Sequence, residues 1–222
     1  MVFIKKIFYF IVIISIFLSC LGCSMSDSIK FKKEYEKLNN TKFRNVNIDK
    51  NNPFKYKDIK DIVDMVEKKE SFIVYFGFSS CPWCRMIIEE LVNVSNEEDI
   101  NIIYYVDIKN IRDEYNIVNN KSKLIKKGNK NYLKLLKLFD NILDDYKIND
   151  YNLNEKRIYA PTIISVINGK AEKKESAVEG ISDPYKKLTK NEKKEIKRKI
   201  KCILTCYKDG IASCSSKTCV KE

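Results

Sequence analysis

The stretch between Phe72 and Leu91 constrains the fold more than any other part of the chain. It reads FIVYFGFSSCPWCRMIIEEL, an apolar and aromatic run that is followed by a short turn and then by apolar residues at helical spacing. Such a run is typical of a central strand that is covered on both faces. Pro82 suits the first position of a helix, where a missing N–H costs no hydrogen bond. We therefore predict a buried strand that leads through Cys81 into a helix.

Cys81 and Cys84 lie at the start of this predicted helix with the spacing C-x-x-C. The free N–H groups and the dipole of a helix N-terminus favour a thiolate, so they lower the pKa of the outer cysteine. Cys84 follows one helical turn later, where its sulfur can bridge to Cys81. The pattern predicts a redox-active dithiol. A zinc site and a purely structural disulfide use the same spacing and stay open as alternatives.

A second motif lies downstream, where Tyr159-Ala160-Pro161-Thr162 leads into an apolar strand. With both motifs, the chain resembles the thioredoxin superfamily over about residues 54–180, with an insertion. The resemblance implies an α/β, thioredoxin-like fold, in which a central mixed sheet is flanked by helices and a cis-proline packs against the dithiol. Pro161 is then the expected cis-proline. Trp83, Ala160 and Pro161 are expected to line the groove that binds the substrate chain.

The sequence around the cysteines, FIVYFGFSSCPWCR, is also similar to small thioredoxin-like proteins of Gram-positive bacteria of the bacteriocin transport accessory or disulfide-isomerase type. Two features depart from thioredoxins proper. Tyr75 stands where they carry a buried aspartate, six residues before the first cysteine, and the dipeptide Pro82-Trp83 begins with proline, as in glutaredoxins and bacterial disulfide oxidases. Both departures favour a more oxidising enzyme than thioredoxin.

The resemblance implies a thiol-disulfide oxidoreductase with Cys81 and Cys84 as its catalytic residues. We expect it to oxidise or isomerise disulfides in secreted proteins. One alternative is a tethered reductase that receives electrons from a transmembrane carrier. The other is a non-catalytic thioredoxin-like binding lipoprotein, in which the dithiol is a stable disulfide.

Residues 1–22 have the composition of a secretion signal. Two lysines precede an apolar run that ends in small residues before Cys23. This pattern predicts a lipoprotein-type signal peptide with Cys23 as the lipid-modified residue, and Cys20 is the alternative site. An uncleaved anchor helix is a further alternative. Each alternative places the protein at the extracytoplasmic face of a bacterial cell membrane. Residues 23–52 are polar, and we predict that they form a tether that is partly helical around Phe31 to Leu38.

We predict that residues 53–185 form the thioredoxin-like domain, with a helical insertion at about residues 109–156. Apolar residues at helical spacing between Tyr132 and Tyr146 predict at least one helix there. Its apolar face either packs on the core or forms a lid or partner groove beside the dithiol. Residues 115–131 are polar and are predicted to form a loop.

Residues 186–222 are predicted to form a charged C-terminal helix and a disulfide-bonded tail. Cys202 and Cys206 are four residues apart on the helix, and Cys214 and Cys219 follow in the tail. Structural disulfides are expected in an exported protein. A nested pairing, Cys202 with Cys219 and Cys206 with Cys214, suits a helix followed by a returning chain. A zinc site, or a second redox centre that exchanges with the first, stays open.

The charge and composition narrow the range of partners. The formal net charge of +12 comes from lysines that are spread along the chain among many carboxylates. We predict no nucleic-acid binding, and we expect the basic surface to face anionic lipid or wall polymer. The chain has no histidine, which excludes histidine metal ligands and a histidine general base. No cofactor or metal is implied. The expected partners are thiols and disulfides of secreted or surface proteins and a transmembrane redox protein.

Overall fold

The computed structural model describes residues 25–119 and 121–210. The predicted signal segment at residues 1–22, the lipidation sites Cys20 and Cys23, and the tail cysteines Cys214 and Cys219 lie outside the described residues. Within the described ranges, no helix is both long enough and apolar enough to cross a membrane.

The described residues form a mixed α/β structure. Their helices and strands follow in the order α1 (Asp27–Glu36), β1 (Phe54–Tyr56), α2 (Ile59–Glu67), β2 (Phe72–Gly77), α3 (Pro82–Glu97), β3 (Ile103–Asp107), β4 (Glu114–Val118), β5 (Lys121–Lys126), α4 (Lys130–Leu138), β6 (Asp144–Ile148), β7 (Tyr151–Arg157), β8 (Thr162–Ile167), β9 (Lys170–Glu175) and α5 (Lys190–Asp209). Five strands form the central sheet in the order β1-β3-β2-β8-β9, and two separate hairpins, β4-β5 and β6-β7, account for the other four.

The central strand is β2, as the apolar run predicts. All of its residues are buried, and it pairs in parallel with β3 and antiparallel with β8. Its side chains alternate between two cores, since Ile73 and Tyr75 pack with α1, α3 and α5, whereas Val74 and Phe76 pack with α2 and α4. The five-stranded mixed sheet is therefore flanked by helices on both faces.

Residues 25–52 do not form the predicted tether. Helix α1 packs on the sheet, with Phe31 and Tyr35 both fully buried, and the ring centres of Phe31 and Phe54 are 3.9 Å apart. Val46 and Ile48, further along the same segment, are buried as well. The prediction failed because a few apolar side chains, at wide spacing among many Lys, Asn and Glu residues, are enough to attach the segment to the core.

The insertion is less helical than predicted. The polar stretch that was expected to be a loop contains the β4-β5 hairpin, and the expected apolar helix ends at Leu138. Tyr132 and Leu135 on α4 are fully buried in the core beside α2, whereas Tyr146 lies on β6. Asn149 adopts a left-handed backbone (φ 52°) between β6 and β7, which permits a tight turn where the helical spacing suggested continuity.

The C-terminal helix begins at Lys190, where Thr189 and Glu192 form a capping box. Its buried residues include Ile196, Ile200 and Ile203, which pack in the same core as α3. Helices α1, α3 and α5 therefore share one core on the same face of the sheet.

Candidate functional site

Cys81 lies at the N-cap of α3, between the end of β2 and the first helical turn. Its sulfur accepts a hydrogen bond from the backbone N–H of Cys84 at 3.3 Å, and Pro82 occupies the first turn. The two cysteines are free thiols. Cys81 is 4% exposed and Cys84 is fully buried, so only the outer sulfur is open to a reactant.

The surroundings shift the pKa values of the two cysteines in opposite directions. Interaction with the side chain of Cys84 lowers the pKa of Cys81, and the backbone N–H groups of Cys84 and Trp83 lower it further. Burial raises the pKa of Cys84, and the nearby charge of Cys81 adds to this effect. The outer sulfur is therefore the more readily ionised of the two, while burial favours the neutral thiol at the inner one.

The second sequence motif lies against the first. The Ala160–Pro161 peptide bond is cis, and the thiol of Cys81 donates a hydrogen bond to the carbonyl oxygen of Ala160 at 3.4 Å across 79 residues of sequence. The sheet explains this contact, because Thr162 at the start of β8 pairs with Phe76 near the end of β2. The residues singled out as a cis-proline loop and the cysteine pair thus form one site.

An open groove of about 520 Å³ runs beside this site. It is lined by Trp83 and by the backbone of the cis-proline loop, and its other walls carry both acidic and basic side chains. The full lining consists of Trp83, Asp144, Tyr159, Ala160, Pro161, Thr162, Lys174, Glu175, Ser176, Val178 and Glu179. Trp83, Ala160 and Pro161, the predicted substrate-binding residues, therefore share one surface next to the sulfur of Cys81.

Arg112 is a residue of the site that the sequence did not indicate. Its positive charge lowers the pKa of Cys81, and its guanidinium lies 5.5 Å from the ring centre of Phe78. Its Nε atom is buried without a hydrogen-bond partner among the described residues. Arg112 lies in the loop between β3 and β4, inside the insertion, where no periodicity or spacing relates it to the cysteines.

Buried tyrosines, rather than a carboxylate, lie behind Cys84. Tyr75 and Tyr35 are both fully buried, and their hydroxyl oxygens are 3.5 Å apart. The Tyr75 hydroxyl and the Cys84 sulfur also border the same small space beside Gly77, and the Tyr75 side chain lowers the pKa of Cys84. The identity of residue 75 was visible in the sequence. The contribution of Tyr35 was not, because its segment was predicted to be a tether.

Arg85 fastens the N-terminal segment to the helix of the cysteines. This side chain is 1% exposed, and its guanidinium donates to the carbonyl oxygens of Arg44 at 2.6 Å and Tyr35 at 2.8 Å. It also donates to the carbonyl oxygen of Ser79 at 3.1 Å and to Asn39 Oδ1 at 2.8 Å. The arginine after the second cysteine therefore has a structural role that joins three segments at the site.

The predicted C-terminal cysteines are only in part within the described residues. Cys202 and Cys206 lie on α5 and are disulfide-bonded. Their sulfurs lie 2.8 Å from Lys173 Nζ and 3.4 Å from Ser165 Oγ, beside β9 and β8 respectively. Cys214 and Cys219 fall outside the described ranges, so the nested pairing stays a prediction.

Comparison of the chain with models of known protein families and with characterised proteins found no match. Over residues 25–119 and 121–210, no group of three or more Cys, Asp or Glu side chains is placed to hold a metal ion. Function must therefore be inferred from the site itself. Its chemistry combines a nucleophilic thiolate, a buried thiol one turn away and an adjacent groove.

Proposed function

We propose that this protein is a thiol-disulfide oxidoreductase with a thioredoxin-like fold. The main support for this proposal is the position of Cys81. It lies at a helix N-cap, its pKa is lowered, and the fully buried Cys84 follows one turn later. A five-stranded mixed sheet with helices on both faces, and a cis-proline at the start of the strand beside the dithiol, support the fold.

In the oxidising direction, a substrate thiolate attacks Cys81 in the Cys81–Cys84 disulfide. Cys84 leaves as a thiolate and takes up a proton, since burial favours its neutral form. A second substrate thiolate then attacks the substrate sulfur of the mixed disulfide, so a substrate disulfide forms and Cys81 leaves as a thiolate. Two electrons pass from the substrate to the cysteine pair. A disulfide of the redox partner must then accept these electrons and so restore the Cys81–Cys84 disulfide.

The substrate chain lies in the groove beside Trp83 in this proposal. The backbone of Ala160 and Pro161 forms the wall next to the Cys81 sulfur, so an extended peptide can pair with it while its own cysteine reaches the sulfur. The mixture of acidic and basic side chains along the groove suits many peptide sequences rather than one. We infer a broad range of protein substrates.

We further propose oxidation or isomerisation of secreted proteins as the direction of the reaction. Pro82 between the cysteines and the absence of a carboxylate at Tyr75 support it. A signal peptide at residues 1–22 and lipidation of Cys23 would hold the protein on the outer face of the cell membrane. A membrane-bound redox protein is then the partner that accepts the electrons.

Trapping of a mixed disulfide tests the proposed activity. With glutathione disulfide, the Cys84→Ser variant should accumulate a glutathione adduct on Cys81, because the resolving thiol is gone. The adduct is detected by mass spectrometry of the peptide that contains residues 81–84. The matched Cys81→Ser variant should form at least about tenfold less adduct, since the buried Cys84 keeps a raised pKa. Equal labelling of the two variants would contradict the proposed roles.

A further inference from the structure

The contact between Tyr75 and Cys84 depends on a missing side chain. A Cβ atom placed on Gly77 would lie 2.8 Å from the Tyr75 hydroxyl oxygen and 3.1 Å from the Cys84 sulfur. Both atoms therefore occupy the space that a side chain at residue 77 would fill. Gly77 is on the same strand and the same face as Tyr75, so its lack of a side chain lets the tyrosine fold back towards the sulfur.

The charge on Cys84 sets the direction of the hydrogen bonds that this cluster can form. A thiolate can only accept, so Tyr75 must donate to Cys84 when that sulfur is charged. The Tyr75 oxygen is then free to accept from the Tyr35 hydroxyl, which lies 3.5 Å away. All three side chains are fully buried, and a hydrogen bond in such a low-dielectric environment is electrostatically stronger than one in water.

We propose that the Tyr75 hydroxyl stabilises the Cys84 thiolate by a hydrogen bond whenever Cys84 attacks or leaves, and that Tyr35 orients this hydroxyl. The inference rests on the proposed redox function. Tyr75 and Tyr35 are positioning residues, since neither contacts the substrate. Their hydroxyls take the place of a buried carboxylate, but they act as donors and not as a base.

The step in which Cys84 resolves a mixed disulfide balances without an added base. Cys84 loses its proton and its sulfur attacks the sulfur of Cys81, which forms the Cys81–Cys84 bond and breaks the bond to the reactant sulfur. The reactant sulfur leaves as a thiolate with the electron pair of the broken bond, and the proton from Cys84 balances its charge, so the step needs no further oxidant or reductant. Tyr75 remains neutral throughout. The same hydrogen bond assists the reverse step, in which Cys84 is the leaving group.

Few charged groups compete with this hydrogen bond. Burial raises the pKa of Cys84, and the side chain and charge of Cys81 raise it further, whereas the Tyr75 side chain lowers it. The other titratable or charged groups that face the cluster from the elements around it are Tyr35 and Glu34 of α1, Tyr105 of β3, Arg85 and Cys81 of the cysteine helix, and Arg112 of the β3-β4 loop. Of these groups and Tyr75, only the side chains of Tyr75 and Cys81 act on the Cys84 sulfur as hydrogen-bonding groups, and only Tyr75 lowers its pKa.

The rate of resolution by Cys84 tests the proposal. The reduced full-length protein is mixed with excess 5,5′-dithiobis(2-nitrobenzoic acid), and the thionitrobenzoate released is followed with time from pH 5 to pH 10. Attack by Cys81 gives a phase that depends on reagent concentration. Resolution by Cys84 gives a phase that does not. The Cys81→Ser variant should lose both phases, and the Cys84→Ser variant should lose only the second.

Tyr75→Phe should slow the second phase by about tenfold or more at neutral pH, as expected for a lost hydrogen bond to a charged group. The pH midpoint of this phase should rise by about one unit, while the first phase stays within about twofold of the wild-type rate. Tyr35→Phe should have a smaller effect of the same sign. An unchanged first phase shows at the same time that the variant site is folded.

Tyr105→Phe is the matched control. This tyrosine is also fully buried, and its ring stacks on Tyr75 at 5.9 Å, but its hydroxyl donates to Glu34 at 3.2 Å instead of facing the cysteines. It should leave the second phase within about twofold of the wild type. The inference is overturned if Tyr75→Phe leaves the rate and pH midpoint unchanged, or if Tyr105→Phe has an equal effect. A wild type that shows neither phase would overturn the proposed function itself.

Discussion

At the scale of single residues, the reactivity of Cys81 is set by neighbours that act on one sulfur. The side chain of Cys84, its backbone N–H and the charge of Arg112 favour the thiolate of Cys81, and burial opposes them. Because the pKa of Cys81 is lowered, its thiolate persists to a lower pH than the thiolate of an ordinary cysteine. Its rate of alkylation should therefore begin to decline at a lower pH than that of an exposed cysteine, as the pH falls through the lowered pKa.

Replacement of Arg112 should weaken this effect. In Arg112→Gln the positive charge is gone, so the pKa of Cys81 rises and alkylation by iodoacetamide slows by about threefold at mildly acidic pH. At alkaline pH, where both proteins are fully ionised at this sulfur, the rates should agree. The measurement is the rate of alkylation of Cys81 as a function of pH, with Cys81 and Cys84 both reduced.

Lys109→Gln provides the matched control for Arg112. The Lys109 ammonium donates to the Ser80 hydroxyl at 3.2 Å, beside the same turn, but it is not among the groups that shift the pKa of Cys81. A pH profile that moves equally in the two variants would mean that general positive charge, rather than Arg112, sets the reactivity.

At the scale of secondary structure elements, α1 completes the core behind the cysteines. Tyr35 contacts Tyr75, and Phe31 stacks on Phe54 of β1. Arg85 donates to backbone carbonyl groups of the same N-terminal segment. The segment before β1 is thus a part of the folded core and reaches the inner side of the helix that carries the cysteines.

Phe31→Ala tests this role of α1. Removal of a fully buried phenylalanine should lower the free energy of unfolding by about 3–5 kcal/mol. Phe43→Ala, a control in the same segment at a half-buried side chain, should lower it by about 1 kcal/mol. Urea unfolding followed by the fluorescence of Trp83, the single tryptophan of the chain, gives both values. A Phe31→Ala effect below about 0.5 kcal/mol would mean that α1 is not part of the cooperative core.

Some elements could be predicted from the sequence because their local pattern has one physical solution. The apolar run from Phe72 onward is typical of a buried strand, Pro82 favours the start of a helix, and the structure has both elements. The spacing of the cysteines then fixed their place at the helix N-terminus. A proline between a tyrosine-alanine pair and an apolar strand marked the loop that meets Cys81.

Other elements could not be predicted, because their position depends on contacts between distant residues. Helix α1 is held by two aromatic side chains, and its composition is otherwise that of a solvated segment. The β4-β5 hairpin exposes most of its side chains, so no alternation of apolar residues reveals it. Arg112 reaches the site only through the path of the insertion, which the sequence pattern does not specify.

At the scale of the whole molecule, the sheet brings the functional parts together. β2 delivers the cysteine helix, and β8, its antiparallel neighbour, delivers the cis-proline loop to the same edge. The helices on one face, α1, α3 and α5, bury the inner cysteine and its tyrosines. A buried interior around Cys84 and an open groove beside the Cys81 site follow from this one arrangement, so only the outer sulfur lies next to the groove.

The most direct test is the reduction potential of the Cys81–Cys84 pair in the full-length protein, measured against glutathione buffers with the fluorescence of Trp83 as the signal. Trp83 lies between the two cysteines, so it reports on this pair and not on the C-terminal cysteines. We predict reversible oxidation with a potential above about −200 mV, in the range of oxidases and isomerases. A value near about −270 mV would contradict the oxidising direction, and the absence of any exchange would contradict the proposed activity.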